Sequence, residues 1–126
     1  MPKGILIQNG VHLEKHEYET VKILLNHGFN IELIPPSRIK NLRMPDITLN
    51  GSAWEMKSPI GNGRKTIKNI IQTATHQSEN IIIDLRRIKM PEENAMKEIE
   101  RYFTFSKRIK HIMIIQKSEI IIDMIK

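Results

Sequence analysis

Asp46, Glu55 and Lys57 are the residues whose types and spacing could do chemistry. Two carboxylates can share a divalent cation. A neighbouring ammonium can lower the cost of deprotonating a water and can stabilise negative charge on an attacked phosphate. The chain between them reads as a β-hairpin: Asp46-Ile-Thr-Leu and Ser52-Ala-Trp-Glu-Met-Lys flank Asn50-Gly51, the dipeptide suited to a two-residue type I′ turn. That turn sets a register with Leu49 opposite Ser52, Thr48 opposite Ala53, Ile47 opposite Trp54 and Asp46 opposite Glu55. Directly opposed residues point to the same side with Cβ atoms roughly 4.5–5.5 Å apart, and residues two apart on a strand share a side. Asp46, Glu55 and Lys57 are thus expected on one face, with Ile47, Trp54 and Met56 on the other. Two carboxylates facing each other across a ladder repel, a conflict that a divalent cation such as Mg²⁺ or Mn²⁺ resolves. The competing reading of Glu55-x-Lys57 is an exposed strand edge holding a salt bridge; the opposed Asp46, preceded by Pro45, favours the catalytic one.

The surrounding chain must position this hairpin. Lys3 to Gln8 reads as a short strand or extended arm. Leu13 to His27 reads as a helix, with Tyr18, Val21, Leu24 and Leu25 at helical spacing and Gly28 as its stop. Phe29 to Ile34 is a strand closed by Pro35-Pro36, and Ser37 to Met44 is a basic loop. After the hairpin, Ser58 to Arg64 is a glycine-containing loop, and Lys65 to Ser78 a helix buried through Ile67, Ile70, Ile71 and Ala74. Asn80 to Leu85 is a buried strand, Pro91 to Phe103 a helix, and Lys110 to Gln116 and Ile120 to Ile125 two closing strands. The isoleucine runs favour strands, because β-branched side chains are stiff and pack well on a pleated surface. The predicted fold is a single α/β domain over residues 1–126, a mixed sheet flanked by helices.

Twenty Lys and Arg against fourteen acids leave a net charge of +6, which suits a polyanionic partner. Arg38, Lys40 and Arg43 precede the hairpin and Arg64, Lys65 and Lys68 follow it, so both groups are candidate phosphate contacts; Arg86 and Arg87 close a buried strand beside Asp84. The chain has no cysteine, which excludes disulfides and thiolate metal sites. Its five histidines are dispersed without zinc spacing. No stretch is long and apolar enough to span a membrane and no signal peptide is evident, so a cytoplasmic place of action is expected and a membrane partner is not. No Walker loop, dinucleotide fingerprint or nucleophile elbow is present, so no small-molecule organic cofactor is expected.

Pro45-Asp46 followed by Glu55-Met56-Lys57 resembles the signature of the PD-(D/E)XK nuclease superfamily. The resemblance implies a restriction-endonuclease-like core with the acidic pair and lysine on a central hairpin, and a further glutamate on the preceding helix as a third metal ligand. Glu17 falls near the apolar stripe of that helix, where a carboxylate needs a partner, and stands before Gly28-Phe29 as its counterpart does in archaeal Holliday-junction resolvases. Glu14 also falls inward and stays open as the alternative. On the helix after the hairpin, Gln77 shares a side with Ile70 and Ala74, and the resemblance implies an auxiliary role for it; a polar helix-end residue bonding to backbone is the competing reading. The longer run Trp54-Glu-Met-Lys-Ser-Pro, Gly61-Asn-Gly, a basic helix and Ile81-Ile-Ile-Asp-Leu-Arg-Arg looks like the C-terminal tRNase domain of CdiA contact-dependent growth-inhibition toxins. That resemblance implies a metal-dependent RNase carried as the tail of a secreted protein, cutting tRNA in the cytoplasm of a target cell and neutralised by a cognate immunity protein. A DNA endonuclease of the same fold and a non-catalytic nucleic-acid-binding module are the alternatives.

Overall fold

The computed structural model describes residues 2–40 and 42–126. Along the chain run β1 (Leu6–Ile7), α1 (Lys15–Asn26), β2 (Ile31–Leu33), β3 (Ile47–Leu49), β4 (Ser52–Lys57), α2 (Thr66–Ala74), β5 (Asn80–Asp84), α3 (Glu92–Phe105), β6 (His111–Ile115) and β7 (Ile121–Ile125). The strands form one seven-stranded sheet in chain order. β1/β2, β4/β5 and β5/β6 are parallel, and each of these pairs is joined through one helix. Parallel neighbours cannot be closed by a tight turn, so a crossover is required there. The other neighbours are antiparallel. The architecture is the mixed-sheet α/β arrangement read from the sequence.

Strand alternation divides the core into two layers. Ile81, Ile83, Ile112 and Ile114 pack with Ile67, Ile71 and Ala74 of α2 and Ala95, Ile99 and Phe103 of α3. Ile82, Met113 and Ile115 point the other way, joining Ile47, Leu49 and Trp54 beneath Val21, Ile23 and Leu24 of α1. Central strands buried on both faces need apolar residues at successive positions, which is why β5 and β6 are isoleucine runs. Trp54 is in this core, as its position opposite the charged face predicts.

The Asn50-Gly51 turn has positive φ at both residues, 49° and 91°, as a type I′ turn requires. Its register is the predicted one through three pairs: Leu49 with Ser52, Thr48 with Ala53 and Ile47 with Trp54. The turn is tied to the neighbouring strand, since Asn50 N–H donates to the Asn30 carbonyl and Asn30 N–H to Asn50 Oδ1, both at 2.8 Å.

Two boundaries differ from expectation in ways that matter for the site. α1 begins two residues later than read, at Lys15, and Glu14 and Glu17 are drawn into its N-terminus: Glu14 N–H donates to Glu17 Oε1 at 2.9 Å. α2 stops at Ala74, four residues short of Ser78. The hydroxyls of Thr73 and Thr75 donate to the carbonyls of Asn69 and Gln72, competing for helix acceptors near the end. Gln77 therefore lies in the turn after the helix, not on it.

Candidate active site

The regular ladder ends one pair short of Asp46. Asp46 N–H donates to the Trp54 carbonyl at 3.1 Å, although Ile47 is already the ladder partner of Trp54. Two successive residues addressing one partner is the pattern of a β-bulge, which bends a strand and re-aims a side chain. The expected backbone pairing of Asp46 with Glu55 is replaced by something tighter: the Asp46 carboxylate accepts the Met56 N–H at 2.9 Å through Oδ2. The strand carrying Glu55 and Lys57 thus itself fixes Asp46.

Glu55 is only 2% exposed. Its Oε2 lies 3.3 Å from Lys57 Nζ, while Oε1 is buried with no hydrogen-bond partner among the described residues. Burial, and then the negative charge of the neighbouring Asp46, raise its pKa from 4.5 to about 8 against the opposing pull of Lys57. The fold therefore favours the protonated form of Glu55 more than solvent does. A carboxylate so placed lacks positive charge, and a divalent cation could supply it. The orphaned Oε1, the adjoining Asp46 carboxylate and the all-oxygen character of the pair fit a hard cation such as Mg²⁺ or Mn²⁺.

Beside this pair a cleft of about 390 Å³ opens from the start of α1 to the turn after α2, lined among others by Glu17, Arg43, Asp46 and Gln77. Of the two candidate glutamates, Glu17 lines the cleft and Glu14 does not. Glu17 is nevertheless occupied as the capping partner of Glu14, and among the described residues no three His, Asp or Glu side chains gather as a ready ligand set. Asp46 and Glu55 are brought together; Glu17 is brought only to the same cleft. Gln77 Oε1 is, like Glu55 Oε1, buried without a partner.

The basic residues divide. Arg43 lines the cleft, and Arg38 and Lys40 are exposed on the loop before it. Arg64 instead faces a concavity shared with Met90 and Lys97, and Lys68 a groove between α2 and α3 with Tyr102 and Phe105; Lys65 is exposed at the start of α2. Despite their proximity in sequence to Lys57, Arg64 and Lys68 line other concavities.

Sequence reasoning gave no role to the network around Asp84. This acid, 2% exposed, is held bidentately by Arg86, by the Arg86 N–H at 3.0 Å and by the Thr20 hydroxyl of α1 at 2.6 Å. Burial pushes its pKa up, but the hydrogen bonds from Arg86 and Thr20 outweigh that and hold it below the ordinary value. Asp84-Leu-Arg86 was visible as charges closing a buried strand; the contact with Thr20, far away in the chain, was not.

The mixed seven-stranded α/β sheet with its three helices has a counterpart among solved structures. The CdiA-CT/CdiI toxin and immunity complex from Burkholderia pseudomallei contains a chain that matches with a TM-score of 0.71 at 18% identity, over 98% of this chain and 100% of that one. That match defines a shared fold. The family follows from sequence: residues 43–121, more than half of the chain, match the contact-dependent growth inhibition CdiA C-terminal domain, and the chain belongs to that family. No curated protein sequence matches it.

Proposed function

We propose that the chain is a metal-dependent endonuclease of PD-(D/E)XK type that cleaves tRNA, with Asp46, Glu55 and Lys57 as its centre. The observation that carries this reading is the buried pair itself: Glu55 with an unpartnered Oε1, Asp46 fixed beside it, and Lys57 Nζ at 3.3 Å. A purely structural role explains it poorly, since an unpaired carboxylate oxygen in the interior and a second acid next to it both cost stability.

Asp46 and Glu55 would hold the cation, with Glu17 within the same cleft as a ligand through water. The cation, when bound, polarises the phosphate and lowers the cost of deprotonating an attacking water. Lys57 offsets the negative charge that develops on the attacked phosphate and restrains Glu55 through their ion pair. Gln77, whose unpartnered Oε1 lies in the same cleft, would orient the water. Arg43, Arg38 and Lys40 hold the substrate backbone at the cleft mouth. Because only ionised Glu55 can act as a ligand, metal occupancy increases with pH.

tRNA as substrate rests on the resemblance of the Trp54–Pro59 and Ile81–Arg87 runs to CdiA tRNase domains. The toxin and immunity complex from Burkholderia pseudomallei supports a cognate immunity protein as partner, and delivery to the cytoplasm of a target cell as the tail of a secreted protein. No helix among the described residues is long and apolar enough to cross a membrane. The test is incubation of purified protein with total tRNA and with plasmid, each with Mg²⁺, Mn²⁺ or EDTA. Cleavage of tRNA only with metal is expected. Plasmid nicking alone would make it a DNA endonuclease, and no cleavage with either metal would overturn the enzymatic reading.

A further inference from the structure

A second concavity, of about 430 Å³, lies where the start of α1 meets the ends of β4 and β5. Its wall includes Lys15, Glu19, Ser58, Asp84, Arg86 and Arg87. The two acids are already neutralised: Asp84 by Arg86 at 2.9 Å, and Glu19 by Lys22 at 3.6 Å. Lys15 makes none of the ion pairs among the described residues, and neither does Arg87. Two cations are left without a counter-charge.

Of the two, Arg87 is also held in place. Arg87 donates from Nε to Ser58 Oγ at 3.0 Å and from Nη2 to the Ser58 carbonyl at 2.7 Å. Arg86 spends Nε and Nη2 on Asp84, while its Nη1 stands 4.0 Å from Glu119, beyond hydrogen-bonding distance. Arg87 therefore keeps Nη1 free with its plane already set, which reduces the ordering cost of gripping an anion, whereas Arg86 is committed to Asp84 and Glu119. Ser58 directly follows Lys57, so the wall of this concavity begins about 3.8 Å, one Cα step, beyond the lysine of the candidate centre.

We propose that this concavity binds a backbone phosphodiester of the substrate strand, through Lys15 and Arg87, next to the phosphate at the Asp46–Glu55 pair. The proposal rests on the nuclease reading for its substrate, but phosphodiester binding here is measurable without cleavage. The strand would pass over the end of β4, contacted from the Lys57 face of the sheet and from the α1 face.

The test is binding of a fluorescein-labelled single-stranded RNA by wild-type protein in EDTA, read as anisotropy across a salt series. The double variant Lys15→Ala/Arg87→Ala removes the two unpaired cations and spares the Asp84–Arg86 pair; Lys107→Ala/Arg108→Ala on the distant α3–β6 turn is the control. Each phosphate neutralised on a single strand contributes about 0.7 to the slope of log K against log[salt], so the variant, losing one phosphate, should lose about 0.7 of slope and several-fold in affinity, with the control unchanged. An unchanged slope in a folded Lys15→Ala/Arg87→Ala protein would overturn the proposal, as would absence of RNA binding by the wild type. Inorganic phosphate forms a separate arm: if it saturates the wild-type site while the variant keeps full RNA affinity, the site takes free phosphate, not the strand. Cleavage without this slope loss sinks the subsite alone; slope loss without cleavage sinks the enzymatic reading alone.

Discussion

Glu55 and Asp84 are both buried acids with a base two residues further along, on neighbouring parallel strands and opposite faces of the sheet. Asp84 is saturated: Arg86 grips it in two-pronged fashion, a backbone N–H caps it, and Thr20 ties it to α1. Its proton is held off, and the acid acts as a clamp between strand and helix. Glu55 has the same acid-x-base pattern, but Lys57 reaches one oxygen only, the other has no partner, and Asp46 sits beside it. What separates the two is the remaining donors. A buried acid that has them all is a structural clamp; one that lacks them keeps an oxygen open to a further partner.

Asp84→Ala tests the first half of this contrast and should have the largest effect. Removing one partner of a buried, hydrogen-bonded ion pair costs about 3–5 kcal/mol, so the urea midpoint should fall steeply. A loss below about 1 kcal/mol would mean that the clamp contributes little. Glu55→Gln, by contrast, should leave the metal-free protein at least as stable as wild type at pH 8, because it removes a carboxyl whose ionisation the fold opposes.

The pH dependence should run in opposite directions for the two acids. Glu55 binds its proton up to about pH 8 in the folded protein but only to 4.5 when unfolded, so metal-free stability falls as pH rises between these values. Asp84 titrates lower in the fold than its ordinary 3.8, so the stability it contributes is present at neutral pH and lost as pH falls through the acid range. Thermal unfolding in EDTA from pH 3 to 9 should show both limbs. Glu55→Gln should flatten the alkaline one, and an unaltered limb in that variant would contradict the assignment. A smaller effect separates the cations: Arg43→Ala should slow cleavage about fivefold, as expected for one phosphate contact, while Lys68→Ala should not. Equal effects would show that the cleft is not the route of the substrate.

The parts legible in the sequence were those specified locally. Asn50-Gly51 fixes a turn type, the turn fixes a register through Ile47 and Trp54, and alternation then assigns Glu55 and Lys57 to one face without long-range information. The isoleucine runs announced β5 and β6 in the same way. Less legible were features that depend on competition or distance. The bulge at Asp46 arises because its carboxylate takes the Met56 N–H that a regular ladder would have given to a carbonyl. α2 ends early because two threonine hydroxyls compete for its last carbonyls, which moves Gln77 off the helix yet still into the cleft. Glu17 lies on the expected side of α1 but is engaged by Glu14, a local contact that the apolar stripe does not reveal. Thr20 and Asp84 meet only because α1 packs across the sheet. Arg64 and Lys68 illustrate the converse, near the motif in sequence but lining other concavities.

Metal-dependent cleavage of tRNA by wild type and Lys57→Ala, at matched stability, tests the central claim most directly. Lys57 is the one base of the pair that reaches Glu55, and its loss should lower the rate by about 10²–10³ without unfolding the protein. Cleavage by Lys57→Ala at the wild-type rate, with Mg²⁺ present and absent in EDTA, would contradict it and place the chemistry elsewhere on the molecule.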